Sequence, residues 1–347
     1  VSEGRRGARV VIANFGRARP TTLDHRAFWA SHPLPPPRRR TPLFDQPLDW
    51  GFHIYSLGVR MMDLGLADRV EFWDYADPRS TVWHSSGILR VLFENEEDVA
   101  AYLERYGPPD LFVNHGGHGE PVLAMLEGRC FRVYVPALRK RPLPRVNAGA
   151  ECFLVDDERD LDERSMLYVP VANLHKLQPN GRAKERDFIY LASVYRGKRH
   201  DLLLDAVRGT AFTGHLHPVE PDALDLSGTR VTTSRWGERE VADLLHGSRI
   251  AVYPADWASS PAAMWECVAA GLPIVVNETI QGGRHLVVPG VTGELVPPDS
   301  FRDGIEHVLA NRRAYRPREH FEEHWDTLRI LDGYIDFFRR MGWAPCS

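Results

Sequence analysis

Residues 256–276, DWASSPAAMWECVAAGLPIVV, read as a loop, a short helix and a buried strand, and the run RIAVYPA at 249–255 supplies the strand before them. Ser260 suits an N-cap, and Pro261 suits the first helical position, where a missing N–H costs nothing. Gly271 ends the helix and Pro273 follows it. This apolar helix carries a single carboxylate, Glu266, on a face with Ala262, Trp265 and Ala269. Backbone N–H groups free at the helix start, around Ser259 to Ala263, can hold a phosphate. A carboxylate further along can accept both hydroxyls of a vicinal diol such as a ribose. The helix therefore has the parts of a nucleotide grip. The competing reading pairs Glu266 with a Lys or Arg of the fold.

The same strand–helix alternation extends in both directions. ARVVIANF (8–15) is compact and β-branched, as a buried parallel strand should be. HIYSLGVRMMDLG (53–65) has helical spacing, RVEFWDY (69–75) reads as a strand, and EEDVAAYLERYG is a helix that Gly107 ends. PDLFVNHGG, FRVYVPA and SMLYVPVAN continue the strand series. After a polar stretch at 176–187 the pattern restarts with FIYLASV, HDLLLDAV, TAFTGHL and EREVADLLHG. Alternation of this kind predicts an α/β fold with two doubly wound, Rossmann-like domains. The expected boundaries are 1–175, 176–325 and a C-terminal helix at 326–347, with ligand at the carboxyl ends of the strands, facing the interdomain cleft. Residues 17–50 interrupt the first strand–helix unit. So long an insertion is expected to be a lid, an acceptor-binding element or a surface loop, with Phe28, Trp29 and Arg38–Arg40 as its candidate contacts.

Composition narrows the function classes. The chain of 347 residues has 43% hydrophobic and 26% charged residues, ordinary for a globular protein, and its net charge of -4 gives no general attraction to nucleic acid. Four scattered cysteines without C-x-x-C pairs suit reduced thiols in a cytoplasmic protein. No apolar run reaches membrane-spanning length, and the N-terminal residues lead directly into a strand. HGGH at 115–118 lacks the Cys or carboxylate partners of a zinc set. Neither G-x-S-x-G nor H-E-x-x-H occurs.

YPADWASSPAAMWECVAAGLPIVVNETIQGGRHLVVPGVTGELVPP (253–298) resembles the donor-site segment of group 1 glycosyltransferases, the retaining GT-B enzymes of family 4. Pro254, Glu266, Ala269, Gly271, Pro273, Val275, Gly282, Gly290, Gly293 and Val296 fall in register with its pattern. FIYLASVYRGKRHDLLLDAV resembles the segment that opens the family's C-terminal domain, with Lys198 in the lysine position, and YVPVANLHKLQP resembles its domain junction. PDLFVNHGG places His115 where the family has a histidine.

The resemblance implies a GT-B fold, with the C-terminal helix packing back on the N-terminal domain. It implies that a retaining transferase moves a sugar from a nucleotide-diphosphate donor to the hydroxyl of a small-molecule or glycan acceptor, with no cofactor and no metal; the charge balance adds the expectation of no nucleic-acid partner. Glu266 would bind the ribose. Lys198, with Arg196 or Arg199, would stabilise the leaving diphosphate. Ser259 and Ser260 would donate to the phosphates, Gly51 and Gly282 would lie against the donor, and His115 would reach the donor sugar. Lys198 and His115 are thus the catalytic candidates. For Trp236, stacking on the base and packing in a core both stand open. The chain departs from the pattern at Ala258, where the family has a first glutamate that contacts the sugar, and at Ser193 and His285. A donor with an unusual or deoxygenated sugar fits these departures, as does Asp256 or Ser259 taking over the contact. A nucleotide-sugar-binding protein without transfer, or a sugar-nucleotide epimerase, are the alternatives.

Overall fold

The structure is a computed structural model that describes residues 7–15, 18, 24–35, 43, 52–75, 81–83, 87–116, 118–136, 149–156, 158–220, 222–257 and 262–345. The chain forms two compact units, Val1–Tyr168 with Leu328–Ser347, and Val169–Thr327.

The first unit is built on strands β1 (Ala8–Ala13), β2 (Ala67–Tyr75), β3 (Thr81–Trp83), β4 (Leu89–Phe93), β5 (Leu111–His115), β6 (Phe131–Val135), β7 (Cys152–Val155) and β8 (Ser165–Leu167). Their order in the sheet is β3-β4-β2-β1-β5-β6-β7-β8, and β3 alone among them pairs antiparallel, with β4. Val10, Val11, Ile12 and Ala13 of β1 are buried, as a central parallel strand covered on both faces requires. Helices α1 (His25–Ser31), α2 (Phe52–Asp63), α3 (Glu96–Tyr106) and α4 (Glu120–Met125) belong to the same unit. Glu71 of β2 is fully buried, yet it is satisfied: Arg9 and Arg69 lie at 2.6 and 2.7 Å, and Trp73 and Tyr102 donate to it. Burial would raise the Glu71 carboxyl, but the Arg9 and Arg69 charges and the Trp73 N–H outweigh it and hold the carboxyl below the usual range.

Part of the 17–50 insertion is core. Asp24 caps α1 by accepting from the Ala27 N–H, and Trp29 is buried with its ring against Tyr102 at 4.8 Å. The Trp29 Nε1–H donates to Asp98 at 2.6 Å, which ties α1 to α3. This helix is a fixed part of the first unit, so the lid expectation fails for Phe28 and Trp29; Arg38–Arg40 lie outside the described residues. His25, Glu94 and Asp98 also come within ligating distance of one another. The Asp98 oxygens are engaged by Trp29 Nε1 and the Glu94 N–H, a helix-start arrangement that needs no ion.

The second unit carries β9 (Arg186–Leu191), β10 (Thr213–His217), β11 (Arg230–Thr233), β12 (Ser248–Tyr253), β13 (Ile274–Asn277) and β14 (Gly293–Val296). They pair in parallel in the order β11-β10-β9-β12-β13-β14. Helices α5 (His200–Val207), α6 (Val241–His246), α7 (Ala262–Ala269), α8 (Phe301–Asn311) and α9 (Pro317–His324) connect or cover them. The chain runs outward from β9 to β11 and then returns to the other side of β9 with β12. That reversal makes the carboxyl ends of β9 and β12 the ligand crevice of such a sheet.

A last helix, α10 (Thr327–Arg340), contributes its residues from Leu328 onward to the first unit. There Asp332 pairs with Arg60 of α2 at 2.8 Å, and Tyr334 stacks on Tyr168 at 6.2 Å. No helix of the described residues is long and apolar enough to cross a membrane.

Candidate functional site

The crevice of the second unit is built from three loops. After β9 the chain makes a tight 3-10 turn, Arg196–Lys198, fixed by the Tyr190 hydroxyl donating to the Lys198 carbonyl at 2.8 Å. Arg199 follows at φ 49°, a left-handed conformation that costs a non-glycine residue about 1–3 kcal/mol. Its guanidinium offsets this by pairing with Asp201 and with Asp256, both at 3.0 Å. Asp256 lies in the loop after β12. Buried Asn277, which ends β13, donates to the Pro254 carbonyl at 3.0 Å, and the Gln281 N–H donates to the Asp256 carbonyl at 2.9 Å. The loops after β9, β12 and β13 are thereby cross-linked.

Lys198 sits in the middle of this assembly. Its ammonium lies 5.3 Å from the Tyr195 ring centre and 5.5 Å from that of Trp257, and the two rings are 5.3 Å apart. Aromatic faces attract the ammonium, so these two rings help to hold the charge in place. Gly197 makes the arrangement possible, because a Cβ there would fall 2.1 Å from the Trp257 Nε1. Arg196 is exposed on the same turn.

Glu266 is half-buried on α7, on the side of Ala262 and Ala263, whereas Trp265 and Ala269 are buried in the core. The shared face expected for Trp265 and Glu266 is thus divided. Trp265 packs on Trp325 at 4.6 Å and Phe321 at 5.5 Å, and Arg318 of α9 donates to the Ala269 carbonyl at 2.6 Å, closing the far end of α7. Glu266 stands close enough to Tyr253, the last residue of β12, and to Cys267 that its charge, after burial, raises both their pKa values. Gly282 follows Gln281 in the loop after β13, with Gly282 and Gly283 both left-handed (φ 82° and 71°). Trp236 follows β11, exposed, with its ring over His217.

Lys198, Arg196, Glu266, Gly282 and Trp236 therefore all lie at the carboxyl side of one sheet. His115 belongs to the first unit, at the end of β5, with its ring 5.4 Å from that of Tyr168. The residue keeps some accessible surface but its Nδ1 is enclosed, and burial lowers its pKa to about 4, so the imidazole is neutral at pH 7. Such a group accepts or donates a hydrogen bond rather than supplying charge. Gly51, Ser259 and Ser260, like Ala258, lie outside the described residues. Sequence reasoning missed Tyr195, Trp257, Asn277 and His217; the aromatics beside RGK and in PADW were the available signal.

Residues 223–324 match the family described as Glycosyl transferases group 1. No curated protein matches the chain in sequence. Solved structures match it almost end to end. A sucrose-phosphate synthase from Thermosynechococcus elongatus has a TM-score of 0.69 at 14% identity, over 96% of this chain and 99% of its own. HepE of Anabaena, in complex with UDP and glucose, has a TM-score of 0.66 at 12% identity, over 96% and 100%. AviGT4, a glycosyltransferase of avilamycin A biosynthesis, has 0.54 at 16%, over 98% and 100%. The chain has the GT-B fold, and the part of it that matches the group 1 glycosyl transferase family is 223–324.

Proposed function

We propose that this chain is a retaining glycosyltransferase that moves a sugar from a nucleotide-diphosphate donor to an acceptor hydroxyl. The observation that carries this reading is the Lys198 ammonium, held against the rings of Tyr195 and Trp257 at the crevice of the second unit. As the glycosidic bond breaks, charge collects on the departing diphosphate. A cation already fixed in place stabilises that charge without reorganisation, and Arg196 adds to it. Glu266 accepts the ribose hydroxyls, Gly282 lies against the donor, and the segment 258–261 before α7 holds the phosphates through Ser259 and Ser260. His115 acts as a neutral hydrogen-bonding group on the donor sugar. The glycosyl cation is taken on the same face by the acceptor oxygen, and its proton passes to the diphosphate. No metal takes part, so chelation with EDTA leaves the rate unchanged.

Retention is supported by the resemblance of 253–298 to retaining enzymes, and a nucleotide-sugar donor by the UDP and glucose of the HepE structure. Ala258 in place of a sugar-binding glutamate supports an unusual or deoxygenated sugar, since a missing hydroxyl would leave a buried carboxylate unsatisfied. Calorimetry with UDP-, GDP- and dTDP-sugars tests the reading. At least one donor binds, and Glu266→Ala weakens it about ten-fold or more, the value of a charged hydrogen-bonded pair. Unchanged affinity in that variant removes the ribose assignment. Binding with no turnover toward any acceptor favours the binding protein over the enzyme.

A further inference from the structure

The run HFEEH, His320 to His324, reads as H-x-x-E-H, the metal-binding pattern H-E-x-x-H in reverse order. So short a match means little until a helix carries it, because only then do residues four apart share a face. The structure supplies that helix. His320 and His324 both lie on α9, with His324 as its last residue. The His320 N–H donates to the Arg316 carbonyl at 3.1 Å, and the Trp325 N–H closes the helix on the Phe321 carbonyl at 2.8 Å. Phe321, between the two histidines, is buried and packs on Trp265 of α7 at 5.5 Å. That contact fixes the rotation of α9 about its axis and leaves His320 half-buried and His324 exposed.

The two imidazoles meet one turn apart. Their ring centres are 4.3 Å from each other, with the planes tilted by 48°. The Trp325 indole packs edge-on against His320 at 4.8 Å, and the Glu323 carboxylate lies 3.8 Å from His324 Nε2. Among the described residues, neither imidazole takes part in a hydrogen bond. Two histidine nitrogens on one zinc ion, each at about 2.0–2.1 Å, stand about 3 Å apart. Rings whose centres are this close can present nitrogens at that separation by side-chain rotation alone. The neighbouring carboxylate adds negative charge beside the pair, which favours a cation.

The donor set selects the ion. Imidazole suits zinc, nickel and copper, whereas magnesium and calcium take oxygen ligands. Among the described residues, no third His, Cys, Asp or Glu joins the pair within ligating reach, so water completes the coordination. The motif thus lacks the third protein ligand of a hydrolytic zinc centre. Its place in the fold also separates it from the crevice. α9 packs on the far end of α7, where Arg318 donates to the Ala269 carbonyl, and α7 begins at the carboxyl ends of the strands.

We propose that His320 and His324 form a two-histidine site for a divalent transition-metal ion of the zinc, nickel and copper class, which staples the last turn of α9 where it supports α7. The site stands independently of the nucleotide-sugar reading.

Calorimetry of the full, tag-free chain with zinc, nickel and magnesium chlorides tests it. Zinc and nickel are expected to bind in the micromolar range and magnesium not at all. His320→Ala and His324→Ala each remove one tight zinc per chain, the affinity at that site falling about a hundred-fold, because a chelate fails when either arm is lost. His324 is exposed, so its variant keeps the fold and reports on the metal alone. In urea titration, zinc raises the midpoint of the wild type more than that of either variant, since the ion binds only the folded helix. Zinc bound with the same number and affinity in the wild type and either variant overturns the site. So does magnesium bound as tightly as zinc, or zinc bound by the wild type only in the millimolar range.

Discussion

Lys198 marks how far single residues could be read. The resemblance of its segment, YRGKRH, to the family's lysine position pointed to an anion, and Glu266 stood out as the one acid in an apolar helix. What holds Lys198 was not legible. Tyr195 and Trp257 are far apart in sequence, and an aromatic beside a charged residue reads equally well as core. The contact with Gly197 exists only once two loops meet, so no local pattern marks that glycine. Two outcomes follow in a donor-hydrolysis assay. Trp257→Ala removes one wall of the lysine seat and lowers kcat about ten-fold, the worth of a partly desolvated cation–π contact, while KM changes less. Gly197→Ala, whose Cβ would fall 2.1 Å from the indole Nε1, pushes Trp257 aside and does the same. Trp257→Phe keeps a ring over the ammonium and recovers most of the rate. Equal kcat in all three variants would mean that the aromatic pair does not position Lys198.

Elements were the most legible scale where burial was two-sided. Strands such as IAVY and IVV, and helices ended by Gly107 and Gly271, declared themselves by composition and caps. Short edge and late elements did not. β3 has three residues, β7 four and β11 four, too few for periodicity to register. α1 was hidden inside a long insertion whose Pro and Arg content suggested a loop. Arg318 shows a tertiary device that no local pattern predicts: it is buried, and its guanidinium donates to the Ala269 carbonyl at 2.6 Å and the Leu177 carbonyl at 3.1 Å. Removing it leaves the end of α7 without that donor. Arg318→Met is expected to lower the stability of the second unit by about 2–3 kcal/mol in urea titration, the cost of charge-assisted bonds to buried carbonyls. A change below about 0.5 kcal/mol would show that water replaces the guanidinium there.

At the scale of the whole chain, the two mainly parallel sheets were readable from the restart of the strand–helix pattern, because that pattern follows from covering each sheet on both faces; the antiparallel edge strand β3 was not. Assembly of the site was not readable, since it depends on loops joined by Asn277, Gln281 and Arg199 rather than on any periodic face. Three desolvated histidines, half-buried His115 in the first unit with buried His200 and His215 in the second, tie stability to pH. Burial lowers each from the ordinary 6.5 to about 4. Between those values the unfolded chain takes up protons that the folded chain refuses. Their contribution is full above about 6.5, falls as pH drops through the window and stops falling below about 4. The slope within the window reaches about 1.4 kcal/mol per pH unit for each histidine. Urea midpoints at pH 7.5 and 5 check this; equal midpoints would show the rings to be solvated in the native state.

The central claim is that Lys198 stabilises a departing nucleotide diphosphate, and single-turnover cleavage of nucleotide sugars by the wild-type chain and Lys198→Ala tests it most directly. The account predicts that at least one of the UDP-, GDP- and dTDP-sugars is cleaved, and that the variant, folded and still binding it, cleaves it about a hundred-fold more slowly, the usual loss of one preorganised charge-stabilising group. Equal rates in the two proteins, or no cleavage of any donor by the wild type, would contradict it.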